Sequence, residues 1–382
     1  MSATRVALMW PWLPAYQVRL CELSRERLAK SDIDLHVVTG TPPPDRTSRG
    51  DARDAEWCTV VPTTWWQVRG KWLPCRRIGP FMRSYNPDLF IVEQAVKNVE
   101  VAPYLVHSHG HPRVGFWGHG RSYSTPQGPT VARVKSALTR RGDWFFAYTS
   151  RGASHVIEQG FPATRVTVLN NTVDTHHLKR DLDAVTDEDV ARFLQTHGLQ
   201  AGRTALFIGG VDEHKGIEFL LDAANFVGGA LPGFRLIVGG DGSQRPLVEA
   251  AEAQGAPVRY LGRLDGAAKA VALCACDVLA IPEAIGLVAV DSLVAGRPII
   301  STTHPCHGPE RDYLADGVTA LFSTHTVSAY ADALIATLVT PGRSAAMGRA
   351  CEQAAPDYSL ESMVDSFCQG VEAWDDVRRA GL

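Results

Sequence analysis

Residues 277–322 constrain the fold more tightly than any other stretch of this chain. Val278–Ile281 is an apolar run without alternation, the pattern of a strand covered on both faces in a parallel sheet. A loop follows, a helix opens near Gly286, and Pro298–Ser301 reads as the next strand. Glu283 stands at the C-terminal end of the first strand, and Asp291 follows on the helix. Between them, Gly286, Leu287 and Val288 offer backbone N–H groups at a helix N-terminus, whose partial positive charge favours phosphate. An acid on each side of such a helix start suits a nucleotide-sugar site, one acid for sugar hydroxyls and one for ribose.

The rest of the chain repeats the strand–helix theme. Arg5–Trp10, Ile33–Thr39, Cys58–Pro62, Asp88–Glu93, Val114–Gly118, Trp144–Thr149 and Val166–Leu169 read as strands separated by helical stretches, the first being Ala15–Lys30. This alternation predicts a mainly parallel sheet with helices on both faces and ligands at the C-terminal strand ends. Residues 40–56, with three consecutive prolines and several charges, read as a loop. A polar insert follows residue 175, with a helix capped by Thr186 and acidic in its first turn. Thr204–Ile208, Leu236–Gly239 and Val258–Leu261 then open a second sheet. Helices are expected at about 326–340 and 343–353, and Ser359–Ala380 is amphipathic through Leu360, Met363, Val364, Phe367 and Val371. At 382 residues, two domains are the natural expectation.

Charge divides the chain unevenly. Residues 1–170 carry 22 Lys and Arg against 13 Asp and Glu, and the remainder 16 against 28. Eight of the nine tryptophans also lie in the first part. A basic, Trp-rich half suits anionic, sugar-bearing or lipid-linked material, or is a solvated face over a Trp-containing core. No recognised nucleic-acid motif accompanies the charge. The eight cysteines are scattered without a CxxC pair and read as reduced thiols, and Arg5–Trp10 is too short for a signal or a membrane span. His107, His109 and His111 precede a strand, on the edge away from the expected active face, and read as a loop rather than a metal run. His304, Cys306 and His307 lack a fourth zinc ligand. Gly239, Gly240, Asp241 and Gly242 form a turn, since Arg245 stands where a dinucleotide fingerprint needs its third glycine. Asp32-Ile33-Asp34 and Asp181-Leu182-Asp183 are poorly placed as metal-binding D-x-D motifs.

Glu283-Ala-Ile-Gly-Leu-Val-Ala-Val-Asp291, followed by Ser-Leu-Val-Ala-Gly-Arg-Pro-Ile-Ile-Ser, resembles the E-x7-E signature of retaining GT-B glycosyltransferases of the group-1, family-four-like type. Asp291 stands where that signature has its second Glu. Gly209-Gly210-Val211-Asp212-Glu213-His214-Lys215-Gly216 resembles the family's G-R-x…K-G segment, with Gly210 at the Arg position. Val166–Asp174 resembles the interdomain crossing, and Gly118-His119-Gly120 the glycine-flanked histidine of the N-terminal domain.

The resemblance implies a GT-B fold: an acceptor-side Rossmann-like domain over 1–172, a nucleotide-sugar domain over 173–358, and a closing helix, 359–382, returning to the first domain. It implies a retaining, metal-independent glycosyltransferase with no cofactor, moving a hexose-type sugar from a UDP- or GDP-linked donor. Glu283 would hold donor sugar hydroxyls, Asp291 the ribose, and Lys215 with the amides of Gly286–Val288 the departing diphosphate. Gly209, Gly210, Gly262 and Arg263 would border the nucleotide, with Arg263 or Arg121 able to replace the missing cation. His119 would approach the donor sugar, with Arg121 and Ser122–Ser124 nearby. The loop Pro11–Gln17 would line the acceptor side, and Glu310 matches an acid after the family's glycine-containing loop. The acceptor would be sugar-bearing or lipid-linked, the setting cytoplasmic, with peripheral contact at the inner membrane face open to the basic half. A nucleotide-sugar epimerase and a non-catalytic sugar-nucleotide-binding subunit stand as alternatives.

Overall fold

The computed structural model describes residues 3–43, 55–68, 71–106, 111–121 and 128–381. His107, His109 and Ser122–Ser124 lie outside the described residues, as does part of the 40–56 loop. The chain divides into two compact units, Met1–Val173 with Leu360–Leu382, and Asp174–Ser359.

The first unit contains β1 (Thr4–Trp10), α1 (Ala15–Ala29), β2 (Ile33–Thr39), β3 (Cys58–Val60), β4 (Thr63–Val68), β5 (Lys71–Arg76), α2 (Gly79–Tyr85), β6 (Leu89–Glu93), α3 (Ala102–Val106), β7 (Arg113–Gly118), α4 (Pro129–Thr139), β8 (Trp144–Ala147), α5 (Ser150–Glu158) and β9 (Val166–Val168). Seven of these strands form one parallel sheet in the order β3-β2-β1-β6-β7-β8-β9. The central strand β1 is buried on both faces. Val6, Leu8 and Trp10 enter one core, and Ala7 and Met9 enter the other. That explains its apolar run without alternation.

One local expectation is corrected. The stretch between β3 and α2 is not helical but an antiparallel hairpin, β4 on β5, with Thr63 opposite Arg76. Its β-branched and tryptophan residues fit a pleated surface better than a helix. Arg76 at its end is buried at 3% exposure, ion-paired with Glu100 at 2.5 Å and hydrogen-bonded to Asn98.

The second unit contains α6 (Thr175–Asp183), α7 (Asp187–His197), β10 (Thr204–Ile208), α8 (Ile217–Ala230), β11 (Arg235–Gly239), α9 (Arg245–Ala253), β12 (Val258–Gly262), α10 (Gly266–Ala275), β13 (Val278–Ala280), α11 (Val288–Ala295), β14 (Ile299–Thr302), β15 (Ala320–Ser323), α12 (Val327–Val339) and α13 (Arg343–Ala354). The cap on α7 is a full capping box, with Thr186 and Asp189 bonding each other's backbone amides. The six strands are parallel, in the order β12-β11-β10-β13-β14-β15.

The last helix, α14 (Leu360–Arg379), packs in the first unit. Leu360, Met363, Val364, Phe367, Val371 and Trp374 join the core that also holds Val6 and Trp10. Burying each of the larger apolar side chains contributes roughly 1.5–3 kcal/mol at most. Asp375 accepts from the Thr4 hydroxyl at 3.1 Å and ties the helix to the start of β1.

Candidate functional site

The direction of winding in the second sheet reverses between β10 and β13, and the loops leaving their carboxyl ends diverge there to form a crevice. The β10 loop carries Gly209–Gly216, and the β13 loop carries Pro282–Leu287 into α11. Backbone packing fixes the floor. Gly240 has φ +150°, and a Cβ there would lie 1.8 Å from the Gly209 carbonyl oxygen. The ends of β10 and β11 therefore meet main chain to main chain, with the Gly209 amide donating to the Gly239 carbonyl.

Lys215 leaves the floor and donates from Nζ to the Ala284 carbonyl at 2.5 Å. Burial pushes its pKa down, while Glu310 and Asp212 pull it up. Ala284 has φ +47°, a left-handed conformation that costs a non-glycine residue roughly 1–2 kcal/mol. The Lys215 contact helps hold it. The helix of the β13 loop begins at Val288 rather than Gly286; a turn starting at Gly286 leads into it. Among the described residues, the amides of Gly286, Leu287 and Val288 have no hydrogen-bond acceptor, and space beside the Gly286 Cα is open. Three amides at a helix start, with a lysine holding the preceding carbonyl, make a site suited to phosphate oxygens.

Glu283 lies at the mouth of this loop with its carboxylate against the Gly216 Cα; a Cβ at Gly216 would lie 2.8 Å from Glu283 Cδ. Asp291 is buried in α11 and ion-paired with Lys269 at 2.7 Å, a partner the sequence did not reveal. The lysine neutralises the acid and occupies Oδ1, leaving the other carboxylate oxygen for further contacts. Gly210 faces Asp212, whose carboxylate would lie 3.0 Å from an added Cβ. Asp212 accepts from the Ser243 amide and hydroxyl. Arg263 follows Gly262 at the end of β12, exposed and paired with Asp265 at 2.7 Å. Glu310 is buried in the turn Pro309–Tyr313 and influences Lys215 through its charge.

His304, Cys306 and His307 stay close, the two rings 6.5 Å apart, but enter different environments. His307 is buried, accepting from the Ile285 amide at Nδ1 (3.2 Å) and donating from Nε2 to the Thr302 carbonyl (2.9 Å). Burial lowers its pKa. Cys306 is exposed. His304 instead lies beside Glu283 and His325. His325, at the start of α12, is a site neighbour that sequence reasoning missed, because nothing local marks it.

In the first unit, His119 follows β7 and its ring lies 4.4 Å from that of Tyr148. The residue is exposed, yet desolvation and the charge of Lys135 push its pKa down to about 4. Water at the exposed side weakens that depression, and the imidazole is neutral at pH 7 in either case. Gly120 takes φ +71° and approaches Gly152 so closely that a Cβ would lie 2.4 Å from its carbonyl oxygen. This pins the turn to α5, whose N-cap Thr149 accepts from the Gly152 amide.

Arg121, Arg133, Lys135, Arg140, His155 and Gln94 line a cavity of about 650 Å³. At the start of α1, Gln17 is 1% exposed and neither side-chain amide atom has a partner among the described residues. Trp10 and Trp117 are core residues in edge contact at 5.0 Å, so the tryptophans of this half are partly packing residues. His111 is exposed just before β7, at its N-terminal end. All eight cysteines are free.

Residues 202–339 match the family described as glycosyl transferases group 1, and residues 17–177 match glycosyltransferase family 4. The phosphatidyl-myo-inositol mannosyltransferase of Mycobacterium leprae is 35% identical over 143 residues, covering 36% of this chain and 37% of that protein. Its counterpart in Mycobacterium tuberculosis strain H37Rv is 36% identical over 106 residues, 26% of this chain and 28% of that protein. The chain thus spans about a third of the length of the curated relatives it matches. Among solved structures, Anabaena HepE in complex with UDP is similar with a TM-score of 0.70 and 15% identity, covering 97% of this chain and 100% of that one. Sucrose-phosphate synthase from Thermosynechococcus elongatus has a TM-score of 0.69 and 16% identity, covering 99% and 100%.

Proposed function

This chain belongs to the group-1, family-4-like glycosyltransferases of the GT-B fold, and on that premise we propose that it transfers a hexose-type sugar from a UDP- or GDP-linked donor, with retention at the anomeric carbon. The observation that carries this reading is the crevice at the β10/β13 reversal, where Lys215, the amides of Gly286–Val288 and Glu283 converge. When the glycosidic bond breaks, negative charge grows on the leaving diphosphate. Preorganised amides and a half-buried ammonium stabilise that charge more than they stabilise the bound donor, which lowers the barrier. Glu283 accepts from donor sugar hydroxyls, and Asp291, oriented by Lys269, accepts from the ribose. His119, neutral at pH 7, donates or accepts a hydrogen bond without bringing a charge. HepE has been solved with UDP and with UDP-glucose, which supports a nucleoside diphosphate donor.

The acceptor in this proposal carries a negative charge. The arginines and Lys135 around the first unit's cavity favour a phosphate-bearing group, and the buried amide of Gln17 suits an acceptor hydroxyl. The mycobacterial relatives' name supports a phosphoinositide-type lipid of this chemistry. Val131 and Val134 are exposed on α4 beside Arg133, which suits peripheral contact with a membrane carrying such an acceptor. No helix among the described residues is long and apolar enough to cross a membrane.

Nucleotide titration followed by thermal unfolding tests the donor site. UDP or GDP at a hundred times its dissociation constant should stabilise the wild type by about 2.7 kcal/mol. Lys215→Ala should lose that stabilisation. Glu283→Gln should keep it and lose transfer. Undiminished nucleotide binding by Lys215→Ala, or wild-type transfer by Glu283→Gln, would sink the assignment.

A further inference from the structure

The hydrogen bonds around Thr302 determine how two histidines present their lone pairs to Glu283. The Thr302 hydroxyl has one proton, and it donates to the Pro282 carbonyl at 2.8 Å. With its proton on that carbonyl, its oxygen accepts from the His304 amide (3.2 Å) and from His325 Nδ1 in the Nδ1-protonated tautomer (3.0 Å). With Nδ1 protonated, neutral His325 turns the lone pair of Nε2 towards Glu283 Oε1, 3.4 Å away. His304 Nδ1 accepts from the Cys306 amide at 3.3 Å and so also carries a lone pair, 3.9 Å from Glu283 Oε2. Three electron-rich atoms thus converge, all within 4.8 Å of one another. Two lone pairs facing a carboxylate repel it unless a proton or a metal cation lies between them.

We propose that Glu283, His304 and His325 bind a divalent transition metal of the Zn2+ type. Ligand bonds of about 2.0–2.1 Å in a tetrahedral site place ligand atoms about 3.3 Å apart, close to the His325–Glu283 separation of 3.4 Å and shorter than the His304–Glu283 separation of 3.9 Å. The nitrogen-rich set with one carboxylate suits Zn2+ rather than Mg2+ or Ca2+, and three protein ligands leave one position open. Thr302 acts as the outer partner that a metal-binding histidine normally has on its other ring nitrogen. Phe219, stacked on His325 at 4.6 Å and 7°, holds the ring plane. His304 gives up its long contact with the Cys306 amide to the metal. Metal binding stands on this geometry alone. Its consequence rests on the donor-site reading: a metal on Glu283 withdraws the carboxylate from the donor sugar, so Zn2+ inhibits transfer.

Calorimetric titration of the full chain with Zn2+, together with the visible ligand-field band of Co2+, tests the site without relying on activity. One equivalent should bind, His325→Phe (which preserves the stack on Phe219) and His304→Ala should each weaken binding at least tenfold, and Cys306→Ala should not. Thermal melts of the metal-free variants check that they fold. Three results would each overturn the proposal: no binding by the wild type, unchanged binding by His325→Phe, or loss of binding in Cys306→Ala. Nucleotide titration of the same metal-free samples tests the donor reading separately, since Lys215 and the Gly286–Val288 amides are not metal ligands.

Discussion

At the scale of single residues, the second unit's crevice depends on positions where no side chain fits. Gly240 is the sharpest case, because its Cβ would lie 1.8 Å from a carbonyl oxygen, far inside van der Waals contact, and its φ is one that other residues rarely adopt. Gly240→Ala should destabilise the protein by at least about 1–3 kcal/mol from backbone strain alone, seen as a lower urea midpoint. A midpoint within about 0.5 kcal/mol of wild type, as for a surface change, would disprove the close approach. The sequence showed glycines here and placed them in a turn. It could not show that the Gly209 carbonyl excludes a side chain at Gly240, or that Gly209 itself is set by its φ of +145° and not by crowding.

Among elements, the β4–β5 hairpin shows how a period can be misread. A run rich in Thr and Trp, Thr63–Val68, and a second short run, Lys71–Arg76, flank Arg69-Gly70, a two-residue separation of hairpin length ending in glycine. Reading the first half as strict strand–helix alternation hid it. The hairpin delivers Arg76 into a buried pair with Glu100, with side chains 1% and 9% exposed. Removing one partner of such a pair leaves a buried charge uncompensated, so Glu100→Ala should cost about 3–5 kcal/mol by denaturant unfolding. A loss below about 1 kcal/mol, the range for exposed pairs, would mean that water reaches the guanidinium. By contrast, α14 was legible in advance, because Leu360, Met363, Val364, Phe367 and Val371 recur at helical spacing and all enter one core.

Across the whole molecule, His36, His119, His155, His197 and His307 all have pKa values lowered by burial. Their unfolded value is about 6.5, so below that pH the unfolded chain binds more protons than the folded one. Stability is then fully present above about pH 6.5 and is lost as pH falls through the lowered folded values. Urea midpoints should fall steadily from pH 7 to pH 5. A flat or rising midpoint over that interval would mean these imidazoles are not held neutral by the fold.

What the sequence determined was whatever depends on near neighbours along the chain. Apolar runs without alternation specified parallel strands, spacing specified α14 and the Thr186 cap specified α7, and Glu283 with Gly286–Val288 fell on one loop, since strand, loop and helix start are contiguous. Tertiary structure decided which distant groups meet. It paired Asp291 with Lys269, turned Lys215 onto the Ala284 carbonyl, bonded His307 to the Thr302 carbonyl, and brought His325 from the start of α12 to Glu283. Those contacts arise where strands adjacent in space, not in sequence, end on one edge of the sheet. Charge and hydrogen-bond geometry at that edge are set by the whole sheet order, and no local pattern of residues encodes them.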